Sequence, residues 1–178
     1  MTARAFALLV LVASLAPNVV LAQVVSGSVD ATITLQASCE VNGAPGATGV
    51  DFGALDFGTH STLFDQADAE ISDTAAGISV QCTPGTQYTL AFDGGLHAAS
   101  ANAALGLRAM EHSGGGTFVT YNLYAASGRT VPMSINGTMG PLTADGSAQT
   151  VNVYGRALGE SGLVAGTYDD TIGVTLSF

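Results

Sequence analysis

From residue 25 to residue 39 apolar and polar positions alternate without a break. Val25, Gly27, Val29, Ala31, Ile33, Leu35, Ala37 and Cys39 fall on one side, and Ser26, Ser28, Asp30, Thr32, Thr34, Gln36 and Ser38 on the other. Period two predicts extended backbone with one buried face. Strands of small sandwiches usually run to about five or six residues, so a run this long predicts two strands end to end. The distal half, 24–35, is expected to reach outside its own domain while the half near Cys39 stays in it. The last residues repeat the pattern, Ile172, Val174, Leu176 and Phe178 alternating with Thr171, Gly173, Thr175 and Ser177. Exposed edge strands are commonly blunted by Lys, Pro or bulges, and neither terminal run contains Lys or Pro. Such edges invite pairing: main-chain bonds supply affinity, and Val29, Ile33 and Leu35 would each gain about 1.5–3 kcal/mol on burial. Periodicity leaves open whether the two termini pair within one closed sandwich or with another chain.

Between the ends, turn signals recur every 8 to 15 residues and no long helical period competes, which predicts an all-β sandwich or barrel. The expected strands are 29–41, 50–57, 77–83, 87–92, 105–110, 118–125, 131–139, 149–157 and 167–178. The alanine-rich stretch 98–107 is flanked by Gly95 and Gly106 and predicts a loop or one short turn. Asp93-Gly94 has the chemistry of a tight turn. Asp51-Phe52-Gly53 and Asp56-Phe57-Gly58 echo one another five residues apart; they predict a strand whose aromatics pack inward and whose glycines permit a bend or bulge.

The first residues change the picture of where the chain acts. Arg4, the apolar run 5–15 and Val20-Leu21-Ala22 make an export leader with a small-residue cleavage site. Pro17 and Asn18 interrupt the run short of the roughly 20 apolar residues that a spanning helix needs. The mature protein is then expected to begin near Gln23, with residues 1–22 as signal peptide, 23–36 as an N-terminal extension, 37–178 as one domain, and no membrane insertion after cleavage. With 14 acidic residues against three remaining arginines and no lysine, nucleic-acid binding is disfavoured for want of a basic patch. Two cysteines in an exported chain, Cys39 and Cys82, point to one disulfide. A metal pair is the alternative, but no His lies near either in sequence.

Several stretches, taken in order, resemble the spore coat protein U domain family and, within it, the archaic chaperone-usher pilins of the Csu type. They are 24–35, Phe52-Gly53-Ala54-Leu55-Asp56-Phe57-Gly58, Ile78-Ser79-Val80-Gln81-Cys82, Ala91-Phe92-Asp93-Gly94-Gly95, Tyr121-Asn122-Leu123-Tyr124 with Arg129-Thr130, and Gly166-Thr167-Tyr168-Asp169-Asp170-Thr171 leading into Val174 and Phe178. The resemblance implies an incomplete immunoglobulin-like β-sandwich completed by donor-strand exchange. It implies a subunit held by a periplasmic chaperone, passed to an outer-membrane usher and polymerised with neighbouring subunits into a surface pilus for attachment and biofilm formation. Val29, Ala31, Ile33 and Leu35 would be the donor-strand anchors. Ile172, Val174, Leu176 and Phe178 would line the edge that chaperone and donor contact, and Cys39 and Cys82 match the family disulfide. Ala31 is smaller than the residue expected of an anchor. A monomeric secreted coat or carbohydrate-binding protein of the same fold is the alternative.

No catalytic residue, cofactor or metal is expected. His60, His97 and His112 lack metal-ligand spacing and are read as exposed loop residues. His112-Ser113-Gly114-Gly115-Gly116 has no accompanying Gly-x-Ser-x-Gly elbow and is read as a hairpin loop. Asp65, Asp68, Glu70 and Asp73 do not fit an EF-hand and are read as a solvated acidic loop; Asp169-Asp170 is read as a turn.

Overall fold

Alternation turns into strand where a neighbouring segment is available to complete a ladder. The computed structural model describes residues 23–45, 48–72, 77–101 and 107–178, which hold eleven strands. In order they are β1 (Cys39–Val41), β2 (Gln66–Ile71), β3 (Ile78–Cys82), β4 (Gln87–Phe92), β5 (Arg108–His112), β6 (Phe118–Tyr124), β7 (Thr138–Thr143), β8 (Gln149–Val151), β9 (Val153–Leu158), β10 (Tyr168–Asp169) and β11 (Val174–Ser177). A single 3₁₀ turn, Ala98–Ser100, occupies the start of the alanine-rich stretch, as its flanking glycines predict. The leader, Asp73 and residues 102–106 lie outside the described residues. Gln36–Phe178 forms one compact unit.

All the ladders are antiparallel. A five-stranded sheet runs β10-β5-β6-β9-β2, and two three-stranded sheets run β1-β3-β8 and β11-β4-β7. Their inward faces merge into one core built on Ile78, Val80, Leu90, Leu123 and Val153. Alternate residues supply it, as in β9, where Val153, Gly155 and Ala157 are buried and their neighbours are half-buried. The fold is therefore all-β, as expected, and Cys39 and Cys82 form the disulfide, joining paired residues of β1 and β3.

Several expectations are corrected. The segment 50–57 is not a strand: Asp51 Oδ1 accepts from the Gly53 amide at 2.8 Å, and Asp56 Oδ1 accepts from the Gly58 amide at 2.7 Å. These local bonds compete with a ladder, and both glycines take positive φ, 99° and 77°. The five-residue echo is thus a repeated Asx turn. Phe52, Leu55 and Phe57 still pack on the core, as the pattern predicted. Gly155 makes this possible, because a Cβ there would lie 2.5 Å from Leu55 Cδ2 and 2.9 Å from Phe57 Cζ. The expected strand 131–139 is displaced to β7, which carries Pro141 on the edge of its sheet, where a missing N–H costs no ladder bond. Asp93-Gly94 joins strands of different sheets and is not a hairpin turn; Gly95 takes the positive φ. The 149–157 run breaks into β8 and β9, which pass the chain from one sheet to another.

The supposed acidic loop is largely strand. In β2, Ala67, Ala69 and Ile71 are buried while Gln66, Asp68 and Glu70 face solvent, and β2 is the outer strand of its sheet. Charged residues at that edge oppose pairing with another chain. Asp68 is anchored by a two-pronged bond from Arg156, Nε to Oδ1 at 2.6 Å and Nη2 to Oδ2 at 2.8 Å, across the β2–β9 register. Arg129 Nη1 lies 3.7 Å away on the other side. The Arg156 hydrogen bond, against a smaller opposing effect of burial, holds the Asp68 carboxyl below its ordinary value, and the charges of Arg129 and Arg156 add to this. A depressed carboxylate contributes stability above its unfolded pKa and loses it as pH falls through the folded value. Asp68→Asn is therefore expected to be less stable than the parent at pH 6, by a small amount befitting an exposed pair. The difference should vanish in acid, below the ordinary carboxylate range, as read from urea unfolding curves across pH.

Candidate functional site: an apolar groove beside the C-terminal edge

β11 pairs on one side only. Val174, Thr175, Leu176 and Ser177 face Phe92, Ala91, Leu90 and Thr89 of β4, and among the described residues nothing pairs with its other edge. An apolar groove of about 540 Å³ opens there, with buried Ile78, Phe92 and Leu123 among its lining, Phe52 and Leu55 contributed by the 50–57 segment, and Ile172 and Val174 by the C-terminal segment. A second hollow of about 720 Å³ adjoins it, sharing Leu55, Phe57, Met110 and Tyr168, and continues along Phe64 and Leu163. A sandwich with both edges closed would fill this space with side chains.

Of the expected edge residues, Ile172, Val174 and Leu176 pack partly buried against the core. Phe178 is 61% exposed. At the other end of the chain, residues 23–38 belong to no strand, and Val29, Ile33 and Leu35 are 95%, 82% and 82% exposed, with Ala31 exposed as well. Among the described residues regular structure starts at Cys39, preceded by a clasp in which the Ser38 amide donates to Thr83 Oγ1 at 3.1 Å and the Thr83 amide to the Ser38 carbonyl at 3.0 Å.

Beneath the groove lies a polar node that sequence reasoning missed. Arg108, fully buried in β5, donates from Nε to the Asp93 carbonyl at 2.7 Å and from Nη2 to the Phe92 carbonyl at 3.1 Å, and Nη1 reaches the Met133 carbonyl at 3.4 Å. Burial pushes the guanidinium's pKa down; Tyr121, Asp93 and Asp170 push it back up. Tyr121, in β6, lines the groove and donates its hydroxyl to Asp170 Oδ2 at 2.7 Å. Burial, reinforced by that bond and by the Asp170 charge, raises the phenol far above its ordinary value, so it stays a donor. An arginine in a run of otherwise apolar strand positions, Leu107-Arg108-Ala109-Met110, was the available signal.

Arg129 entered the sequence reading only as part of the stretch resembling the family, with no role assigned. It takes a positive φ of 47°, donates to the carbonyls of Gly155 and Ala69 at 3.0 Å each, and lies over the Tyr154 ring at 5.3 Å. It thereby ties β9 to β2. Of the histidines only His60 is exposed, and His97 and His112 are half-buried. His97 Nδ1 is 3.3 Å from Glu111 Oε2, and His112 ends β5, its Nδ1 accepting from the Gly114 amide at 2.9 Å and its ring edge-on to Tyr168. The His112–Gly116 stretch is the β5–β6 hairpin loop. Among the described residues no group of three or more His, Cys, Asp or Glu is placed to hold a metal.

The chain is similar to known proteins along most of its length. A family model described as the Spore Coat Protein U domain matches residues 25–175. Protein U of Myxococcus xanthus is 30% identical over 152 residues, covering 83% of this chain and 85% of that protein. Among solved structures, a chain of the chaperone–tip adhesion subunit pre-assembly complex from the archaic chaperone-usher Csu pili of Acinetobacter baumannii is similar at a TM-score of 0.48 and 22% identity. That match covers 82% of this chain but only 41% of the solved one.

Proposed function

Because this chain belongs to the spore coat protein U domain family, we propose that it is a structural, non-enzymatic subunit of a chaperone-usher surface pilus, polymerising by donor-strand complementation for attachment and biofilm formation. One juxtaposition carries the reading: an apolar groove lies open beside the unpaired edge of β11, in a chain whose alternating segment 24–35 is itself unpaired and exposed. The groove needs a strand and the segment needs a groove. Val29, Ala31, Ile33 and Leu35 of one subunit enter the groove of the next, meeting the edge formed by Ile172, Val174, Leu176 and Phe178. Main-chain bonds to β11 supply affinity, and the alternate side chains supply fit.

Before assembly the same groove is a liability, because an unpaired strand beside exposed apolar surface promotes aggregation. A periplasmic chaperone holding the groove until an outer-membrane usher hands the subunit to its neighbour answers that need. The signal peptide opens this route to the cell surface.

Deleting residues 24–35 is the test. The shortened subunit is expected to remain soluble with its chaperone and to form no fibres; fibres assembled with parental efficiency would overturn strand donation. The family description, Spore Coat Protein U domain, supports a second reading, a secreted monomeric coat protein of the same fold. In that case the mature chain purified without a chaperone stays monomeric and stable.

A further inference from the structure

We infer that Asp170 and Asp93 are positioning residues that hold the groove wall in place before a donor strand arrives; the inference rests on the strand-donation reading. Asp170 Oδ1 accepts from the Leu96 amide at 2.8 Å and the Thr171 amide at 2.9 Å, while Oδ2 accepts from the Tyr121 hydroxyl. Asp93 Oδ1 accepts from the amides of Gly95 at 2.9 Å and Gly173 at 2.7 Å, and the Asp93 amide donates to the Gly173 carbonyl at 2.9 Å. Both polar groups of Gly173, in the groove lining, are thus held by one residue. The fit leaves no slack: a Cβ on Gly173 would collide with the Asp93 carboxylate, and one on Gly95 with that of Asp170.

The two carboxylates therefore hold the short stretch 170–173, between β10 in the five-stranded sheet and β11 in a three-stranded one, Asp170 tying it to Leu96 and Tyr121 and Asp93 tying it at Gly173. That stretch carries Ile172 into the groove. With it fixed, an incoming strand meets a preformed edge and does not spend binding energy on ordering the wall. Tyr121 connects the device to the floor, its ring lining the groove and its hydroxyl holding Asp170.

The test uses the full chain, refolded with its disulfide intact and followed by growth of SDS-resistant ladders well below the unfolding midpoint. Asp170→Ala is expected to slow ladder growth about tenfold or more. Asp170→Asn, which keeps an acceptor for the two amides, is expected to recover to within about threefold of the parent. A merely structural role would shift the urea midpoint of both variants without slowing growth under these conditions. Should Asp170→Ala not fold, Tyr121→Phe removes a single hydroxyl and is expected to slow growth about two- to threefold. Parental rates for the folded variants would overturn the positioning role while leaving strand donation intact; no ladder from the parent chain would instead overturn strand donation.

Discussion

Replacing Arg108 by leucine is expected to lower the unfolding free energy by about 3–5 kcal/mol, a large part of the roughly 5–15 kcal/mol that a domain of this size has in total. The side chain is wholly inside the protein and donates to the carbonyls of Phe92, Asp93 and Met133. Leucine fills some of the volume but leaves those acceptors without a donor, at about 1–3 kcal/mol for each that water cannot reach. It also removes a cation that feels the charges of the Asp93 and Asp170 carboxylates. Lysine should restore little, because Nε, Nη1 and Nη2 reach separate carbonyls from a planar fork and one ammonium cannot. Denaturant titration of parent, Arg108→Leu and Arg108→Lys decides the matter. A loss under about 1 kcal/mol would mean that the carbonyls find other donors and that the node does not anchor the groove floor.

Removing the disulfide with the pair Cys39→Ser and Cys82→Ser is expected to cost about 4 kcal/mol on the chain-entropy model for a loop closed over 43 residues. The location makes the cost specific. β1 has only three residues and a single partner strand, so the bridge to Cys82 and the Ser38–Thr83 clasp hold the start of the compact unit against β3. Beyond that point lies the segment proposed to leave for a neighbour. Any pull on a donated strand is transmitted to Cys39, and the disulfide carries it into the central strand of that sheet. The expected signature is a fall in the urea midpoint together with faster amide exchange at residues 39–41 and 79–82. An unchanged midpoint would place the stability of this end elsewhere.

The strands that were readable in advance, β3, β4 and β6, are those whose alternation is strong and whose neighbours lie on both sides. Period two is a local property, and a central strand needs nothing else to be recognised. The errors occur where a partner or a local bond decides. Asp51 and Asp56 each capture an amide two residues ahead, so a sequence with strand-like aromatics turns twice. The 66–71 stretch looked like an acidic loop because Ala67 and Ala69 are weak apolar signals, and only the ladder with β9 shows them buried.

The site divides in the same way. The apolar alternation of 24–35 and 172–178, the two cysteines and the apolar run 5–15 are facts of the chain before it folds. So is the resemblance that named the family. Whether the edge of β11 has a neighbour is a fact about the whole sheet order, and only the tertiary structure leaves it open among the described residues, with a groove beside it. The Arg108–Tyr121–Asp170–Asp93 node joins residues up to 77 positions apart, from two strands and two loops. No local pattern marks such a group, because a buried charge is tolerated only where the folded backbone happens to turn its carbonyls and amides toward it. The chain's pattern thus settled that it is a sheet protein with an unusually long apolar-alternating start. Burial and pairing, which depend on every other strand, decided where the sheet is left unfinished and what holds that opening in shape.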